Sequence, residues 1–196
     1  MSHKKIPFKA LLLSFMAVFF LLSGMQAQTT PPSAEEVLQN AYKQAAREDK
    51  NVFVIFHASW CGWCHRMIDA MNDSSCKKLF TDNYIIRHLV VRESPDKKKL
   101  ENPGAMDLLV KYHGDKSGIP FWLIFDKNGK LLADSQIRPD GAGLDVAGKN
   151  AGCPVQPEEL ARFKEALKLS SSLNEQQLAV IMKRFAQIAQ RNTSMN

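Results

Sequence analysis

The sequence predicts an α/β fold: a central mixed β-sheet flanked by helices, with extra N- and C-terminal helices. Two observations carry this expectation. Strand-like and helix-like apolar spacings alternate in the order β-α-β-α-β-β-α after a leading helix, which suits one sheet of mixed direction. Asp126-Lys127-Asn128-Gly129 separates two apolar runs, and Asn-Gly is the strongest short signal for an antiparallel hairpin.

Each element has its own reason. Ser33 with Glu36 three residues on spells a capping box. Val37, Leu38, Ala41, Tyr42 and Ala45 follow at helical spacing, so a helix is expected over 34–48. Val52-Phe53-Val54-Ile55-Phe56 marks a buried strand over 51–57. A helix is expected from near Gly62, with Met67, Ile68 and Met71 on its inner face, and a second short one over 74–80, capped by Asp73 or Ser74. Residues 84–91 read as a strand, 92–103 as a charged loop and 105–112 as a helix. Residues 121–125 and 130–137 form the hairpin. The long Gly-rich stretch 138–156 reads as a specificity or docking insert. Its Asp140-Gly141-Ala142-Gly143-Leu144-Asp145 run lacks the ligand spacing and terminal Glu of an EF-hand. Pro and Glu open a helix over 157–169. Leu178, Ile181, Met182, Phe185 and Ile188 line an amphipathic helix over 174–191. Its default role is packing on the domain, and a dimer face is the alternative.

The N-terminus reads as a targeting segment. His3, Lys4, Lys5 and Lys9 precede an apolar stretch from Ala10 to Leu22, and Ser23-Gly24-Met25-Gln26-Ala27 supplies a cleavage region. Met25 is larger than such a site prefers, which leaves an uncleaved anchor as the alternative. The expected organisation is a signal peptide at 1–27, a short leader at 28–32, a domain at 33–170 and a C-terminal helical extension at 171–196. The expected location is periplasmic or secreted, with the membrane touched only through an uncleaved signal segment.

Composition agrees with one domain and a real core: 196 residues, 45% of them hydrophobic. Setting aside residues 1–27 removes three lysines and no acids. That leaves 23 basic against 20 acidic side chains, so the net charge falls from +6 to +3. With no basic stripe interleaved with aromatics, nucleic acid is not an expected partner. Lys97-Lys98-Lys99 reads as a solvated run.

The chemistry is concentrated in Trp60-Cys61-Gly62-Trp63-Cys64, directly after the strand pattern. Two cysteines at the start of a helix can cycle between dithiol and disulfide, and the unsatisfied N–H groups there favour a thiolate. Zinc would need two further ligands at suitable spacing, and none is seen, so no metal is expected. Cys61-Gly62-Trp63-Cys64-His65 also spells the c-type haem attachment signature, although haem proteins of that type are mostly helical and this motif follows a β-type run.

A second marker, Gly118-Ile119-Pro120-Phe121, lies downstream. With both motifs in this order, the chain resembles the thioredoxin-like superfamily from about Ser33 to Leu169. The resemblance implies a thioredoxin-like fold and thiol–disulfide exchange on proteins. Cys61 would be the nucleophile and Cys64 the resolving thiol. Ile119-Pro120 would be the cis-proline turn, with the Ile119 backbone binding an extended substrate segment. Trp60, Gly62, Trp63, His57 and His65 would support the pair. Trp60 and Trp63 flank it and Phe121 and Trp122 follow Pro120, which suits an aromatic rim for extended segments, with a plain core position as the alternative for Trp122. No cofactor is implied. The implied partners are proteins bearing cysteines or disulfides, and a membrane-bound or exported redox partner. One departure matters: many thioredoxins carry a buried carboxylate where this chain has Ile55. His57, on the same face of the strand, a nearby Glu or water would then handle the proton.

Cys76 and Cys153 leave several outcomes open: a structural disulfide, two free thiols, or a reserve pair. Three functions stay in view. They are an exported oxidoreductase, a non-catalytic polypeptide-binding module of the same fold, and a c-type haem protein.

Overall fold

Ser33 starts the first helix, α1 (Ala34–Glu48). Its hydroxyl accepts from the Glu36 N–H at 3.2 Å, and the Glu36 carboxylate accepts from the Ser33 N–H at 2.8 Å. These coordinates come from a computed structural model that describes residues 30–193. The expected signal peptide and the first residues of the leader lie outside the described residues.

Strand β1 (Asn51–His57) is central. It runs parallel to β2 (Tyr84–Val90) and antiparallel to β3 (Phe121–Phe125), which pairs antiparallel with β4 (Leu131–Asp134). The sheet order is β2-β1-β3-β4. Strand alternation sends successive side chains to opposite faces. Phe53, Ile55, Trp122 and Ile124 enter one core; Val52, Val54, Phe56, Phe121, Leu123 and Phe125 enter the other.

Different helices cover the two faces. The first is closed by α2 (Gly62–Asn72), α3 (Lys77–Asn83), α5 (Pro157–Ser170) and α6 (Glu175–Thr193), through Met67, Met71, Phe80, Phe163, Leu178 and Phe185 among others. The second is closed by α1 and α4 (Ala105–Lys111), through Leu38, Ala41, Ala45 and Leu109. Phe53 is the hub of the first core, with ring centroids 5.5 Å from Tyr84, 5.8 Å from Trp122 and 6.4 Å from Phe80 and Phe163. Residues of α6 belong to that core, and no helix among the described residues is long and apolar enough to cross a membrane.

Several boundaries differ from expectation, most by one or two residues, and four of the differences have a visible cause. Helix α3 starts at Lys77, because Asp73 Oδ1 accepts from the Ser75 N–H at 3.0 Å and hydroxyl at 2.6 Å and folds 73–76 into a turn. The charged loop contains a 3-10 helix, Pro95–Leu100, opened by its proline. The second hairpin strand stops at Asp134. The chain then forms a separate antiparallel pair, β5 (Gln136–Ile137) with β6 (Lys149–Asn150), around the Gly-rich insert. The cause is buried polarity. Asp134 is 1% exposed and meets Arg138 at 2.5 Å and Arg162 at 3.5 Å, so the strand bends to satisfy it. The last helix begins one residue later than expected, capped by Asn174 through reciprocal bonds with Gln177 at 2.9 Å.

Candidate active site

Cys61 and Cys64 are joined in a disulfide, with S–S 2.12 Å and Cα–Cα 5.3 Å. β1 delivers the chain to the head of α2, where Cys61 is the N-cap and its sulfur accepts from the Cys64 N–H at 3.2 Å. That donor is one of the N–H groups a helix start leaves unpaired, so the sulfur of Cys61 sits in the positive end of the helix dipole. Gly62 is exposed, and a Cβ there would meet nothing within 4 Å, so space does not require a glycine.

Cys61 itself is shielded from solvent. It is 3% exposed and Cys64 is fully buried, both packed with Ala58 and Ile119. The exposed surface belongs instead to the flanking tryptophans, Trp60 at 59% and Trp63 at 41%. The Trp63 ring lies 4.7 Å below the Arg66 guanidinium. The Trp60 indole donates to the Arg92 carbonyl at 2.8 Å. Phe121 and Trp122 are not part of this rim. Both are fully buried strand residues, and the Trp122 indole donates to the Gly152 carbonyl at 3.0 Å.

Opposite the pair, the Ile119 carbonyl lies 3.5 Å from Cys61 Sγ. The Ile119–Pro120 peptide bond is cis. Asn150 of β6 pins this turn, donating to the carbonyls of Gly118 at 2.8 Å and Pro120 at 3.1 Å. The insert that contains β6 therefore reaches the site through its root.

His65 is exposed on α2 and turns Nε2 to the Ser59 carbonyl at 2.9 Å, so that nitrogen carries the hydrogen. His57 closes β1 with its ring 5.4 Å from that of His88. Its Nδ1 is buried and has no hydrogen-bond partner. Burial, aided by the charge of His65 and opposed by that of Glu93, holds its pKa below the usual 6.5. Near neutral pH His57 is thus an uncharged base. Ser59 gives its N–H and hydroxyl to the carboxylate of Glu93, a residue only 4% exposed. Glu93, Arg92 and Asn150 are the residues that sequence reading missed. Each comes from a distant segment, and nothing local in 92–103 or in the insert marks them.

Cys76 and Cys153 are not paired, which corrects the structural disulfide as one expected outcome. Both are buried free thiols. Cys76 caps α3 beside the Ser75 hydroxyl at 3.6 Å, while Cys153 sits on the loop between β6 and α5. Burial pushes both thiols up, Cys153 to about 12. No group of three or more His, Cys, Asp or Glu side chains among the described residues is arranged to hold a metal ion.

Comparison with known proteins follows the same lines. A family model described as thioredoxin-like matches residues 33–127, which run from the cap of α1 to the end of β3 and contain both landmarks. No curated protein matches the sequence. Among solved structures, a disulphide isomerase from Xylella fastidiosa Temecula1 is 17% identical, with 85% of this chain and 96% of that one covered and a TM-score of 0.44. A DsbH oxidoreductase is 22% identical, with 77% and 99% covered and a TM-score of 0.41. A putative protein disulfide isomerase from Bacteroides thetaiotaomicron is 19% identical, with 66% and 79% covered and a TM-score of 0.38. The β2-β1-β3-β4 sheet, with the cysteine pair at the head of α2, is a thioredoxin-like fold, and over residues 33–127 the chain is similar to the thioredoxin-like family.

Proposed function

We propose that the chain is an exported thiol–disulfide oxidoreductase acting on protein cysteines. One observation carries the reading: a disulfide at a helix N-terminus, facing the Ile119 carbonyl across 3.5 Å. In the reduced form, Cys61 is the thiolate. It attacks one sulfur of a substrate disulfide; that S–S bond breaks, and the other substrate sulfur leaves as a thiolate that takes up a proton. Cys64 then loses its proton and attacks Cys61 Sγ. This breaks the mixed disulfide, frees the second substrate thiolate and leaves the Cys61–Cys64 bond. Two electrons pass from the pair to the substrate, and the reverse sequence oxidises a dithiol.

The remaining residues support that exchange. The backbone of Ile119 aligns an extended substrate segment beside the pair, and Trp60 and Trp63 supply apolar contact next to it. His57 takes the proton of Cys64, in the place of the carboxylate that Ile55 replaces. A signal segment at 1–27 sends the protein to the periplasm or beyond, where a membrane-bound or exported partner resets the pair.

The test is covalent trapping. Cys64→Ser protein, mixed with a disulfide-bearing substrate protein, is expected to accumulate an adduct through Cys61 that dithiothreitol releases. Cys61→Ser protein is expected to give none. Equal absence of adduct in both variants overturns the catalytic reading and leaves a non-catalytic polypeptide-binding module.

A further inference from the structure

The segment 91–93 is stitched along the approach to the cysteine pair. The Val91 N–H donates to the His57 carbonyl at 2.9 Å, the Arg92 carbonyl accepts from the Trp60 indole at 2.8 Å, and the Glu93 carboxylate accepts from both donors of Ser59. From the middle of this seam the Arg92 side chain crosses to the opposite wall. Its guanidinium donates to the carbonyls of Gly114, at 3.1 Å, and of Asp115 and Ser117. Those residues lead directly into Ile119-Pro120.

Arg92 is also one of the few non-glycine residues in the left-handed region, with φ +57°. An L-residue adopts that region at a cost, and such outliers persist where the surroundings over-determine them. Here the turned backbone lets the carbonyl meet Trp60 while the side chain points away to 114–117. A planar guanidinium offers several donors in a fixed fork, which suits a cluster of carbonyls as a single ammonium does not.

We propose that Arg92 is a positioning residue. It is a strut between the cysteine-bearing wall and the proline-bearing wall, and it sets the distance at which the Ile119 backbone presents an extended polypeptide to Cys61. The inference rests on the oxidoreductase reading and deepens it. It assigns the discrimination between polypeptide disulfides and small disulfides to a residue outside both motifs.

The experiment compares two probes with one leaving group. The first is Ellman's reagent, a small disulfide with no peptide backbone. The second is an extended peptide whose central cysteine carries the same thionitrobenzoate group. Reduced Cys61 attacks either probe, the S–S bond breaks, and thionitrobenzoate leaves as a coloured thiolate. Arg92→Ala is expected to lose about 10- to 100-fold in the second-order rate constant of this single-turnover release on the peptide, the scale of an ångström-level misplacement. It is expected to stay near wild type on Ellman's reagent and to keep the reduction potential of the Cys61–Cys64 couple. Arg92→Lys, which keeps the charge and one reaching donor, is expected to fall between, and it carries the same comparison if Arg92→Ala does not fold. Equal loss on both probes, a shifted potential, or a peptide rate within twofold of wild type overturns the proposal. Wild-type protein silent on both probes overturns the oxidoreductase reading, and this inference with it.

Discussion

Ser59 places its backbone N–H at 2.5 Å and its hydroxyl at 2.7 Å on the same carboxylate, that of buried Glu93. Burial raises the pKa of Glu93, but the two Ser59 donors together with the charges of Lys97 and His57 outweigh it, so the group stays below its ordinary 4.5. A depressed carboxyl stabilises the fold above its unfolded pKa, and that contribution disappears as pH falls through the folded value. Glu93→Gln leaves one Ser59 donor facing an amide NH2. The expected loss is about 1–3 kcal/mol near neutral pH. The difference from wild type should narrow under acid conditions, as read by urea unfolding across the acid range.

Cys76 and Cys153 should be silent thiols in the native protein. Iodoacetamide at mildly alkaline pH is expected to modify neither until the chain is unfolded, when mass spectrometry should find both modified. The pH dependence has a definite sign. The Cys153 thiol ionises near 9.0 when unfolded and at about 12 in the fold. Its contribution to stability is therefore complete below 9.0 and is lost as pH climbs from there toward 12. Thermal melts through that alkaline window test it.

Asp134 is a buried charge on which the bend after β4 depends. It is shared by Arg138 and Arg162, and Arg138 also donates to the Leu144 carbonyl at 3.3 Å and to the Val146 carbonyl of the insert. Asp134→Ala leaves buried Arg138 without its anion and Arg162 with only the exposed carboxylate of Glu165, at an expected cost of about 3–5 kcal/mol in urea unfolding. The insert should also become cleavable in limited proteolysis between 139 and 148, because its anchor has gone.

His57 gives a kinetic prediction. As the base that receives the Cys64 proton, it works while neutral, which its depressed pKa secures near pH 7. The pH–rate profile of mixed-disulfide resolution should fall on the acid side, with its inflection below 6.5. His57→Gln is expected to remove that inflection and slow resolution by about a hundredfold at neutral pH. Unchanged kinetics would return the proton to water or to another carboxylate.

What the sequence disclosed was governed by range. Val52–Phe56, the Ser33 box and the Asn128-Gly129 turn act through neighbours a few residues away, and β1, α1 and the hairpin stand where those signals place them. The cysteine pair and Ile119-Pro120 were legible for the same reason, as compact motifs in the right order. The end of β4 was not, since it depends on Arg162, 28 residues beyond Asp134. Nor were Glu93 and Arg92, whose partners are separated from them by 34 and 22–32 residues. A side chain that acts across such distances leaves no periodicity, and the aromatic rim was overdrawn because Phe121 and Trp122 alternate into the two cores.

Phe185 of α6 stands 5.0 Å from Phe163 and 6.5 Å from Phe80, ring centre to ring centre. Synthesis runs from the other end. When β1, β2 and β3 have left the ribosome, the helix that completes one side of their sheet has still to be translated. The nascent chain consequently leaves Phe80 and Phe163 without the Phe185 ring until α6 has followed β3 out, so this core is the later of the two to close. That delay favours any machinery that must handle the polypeptide before it folds.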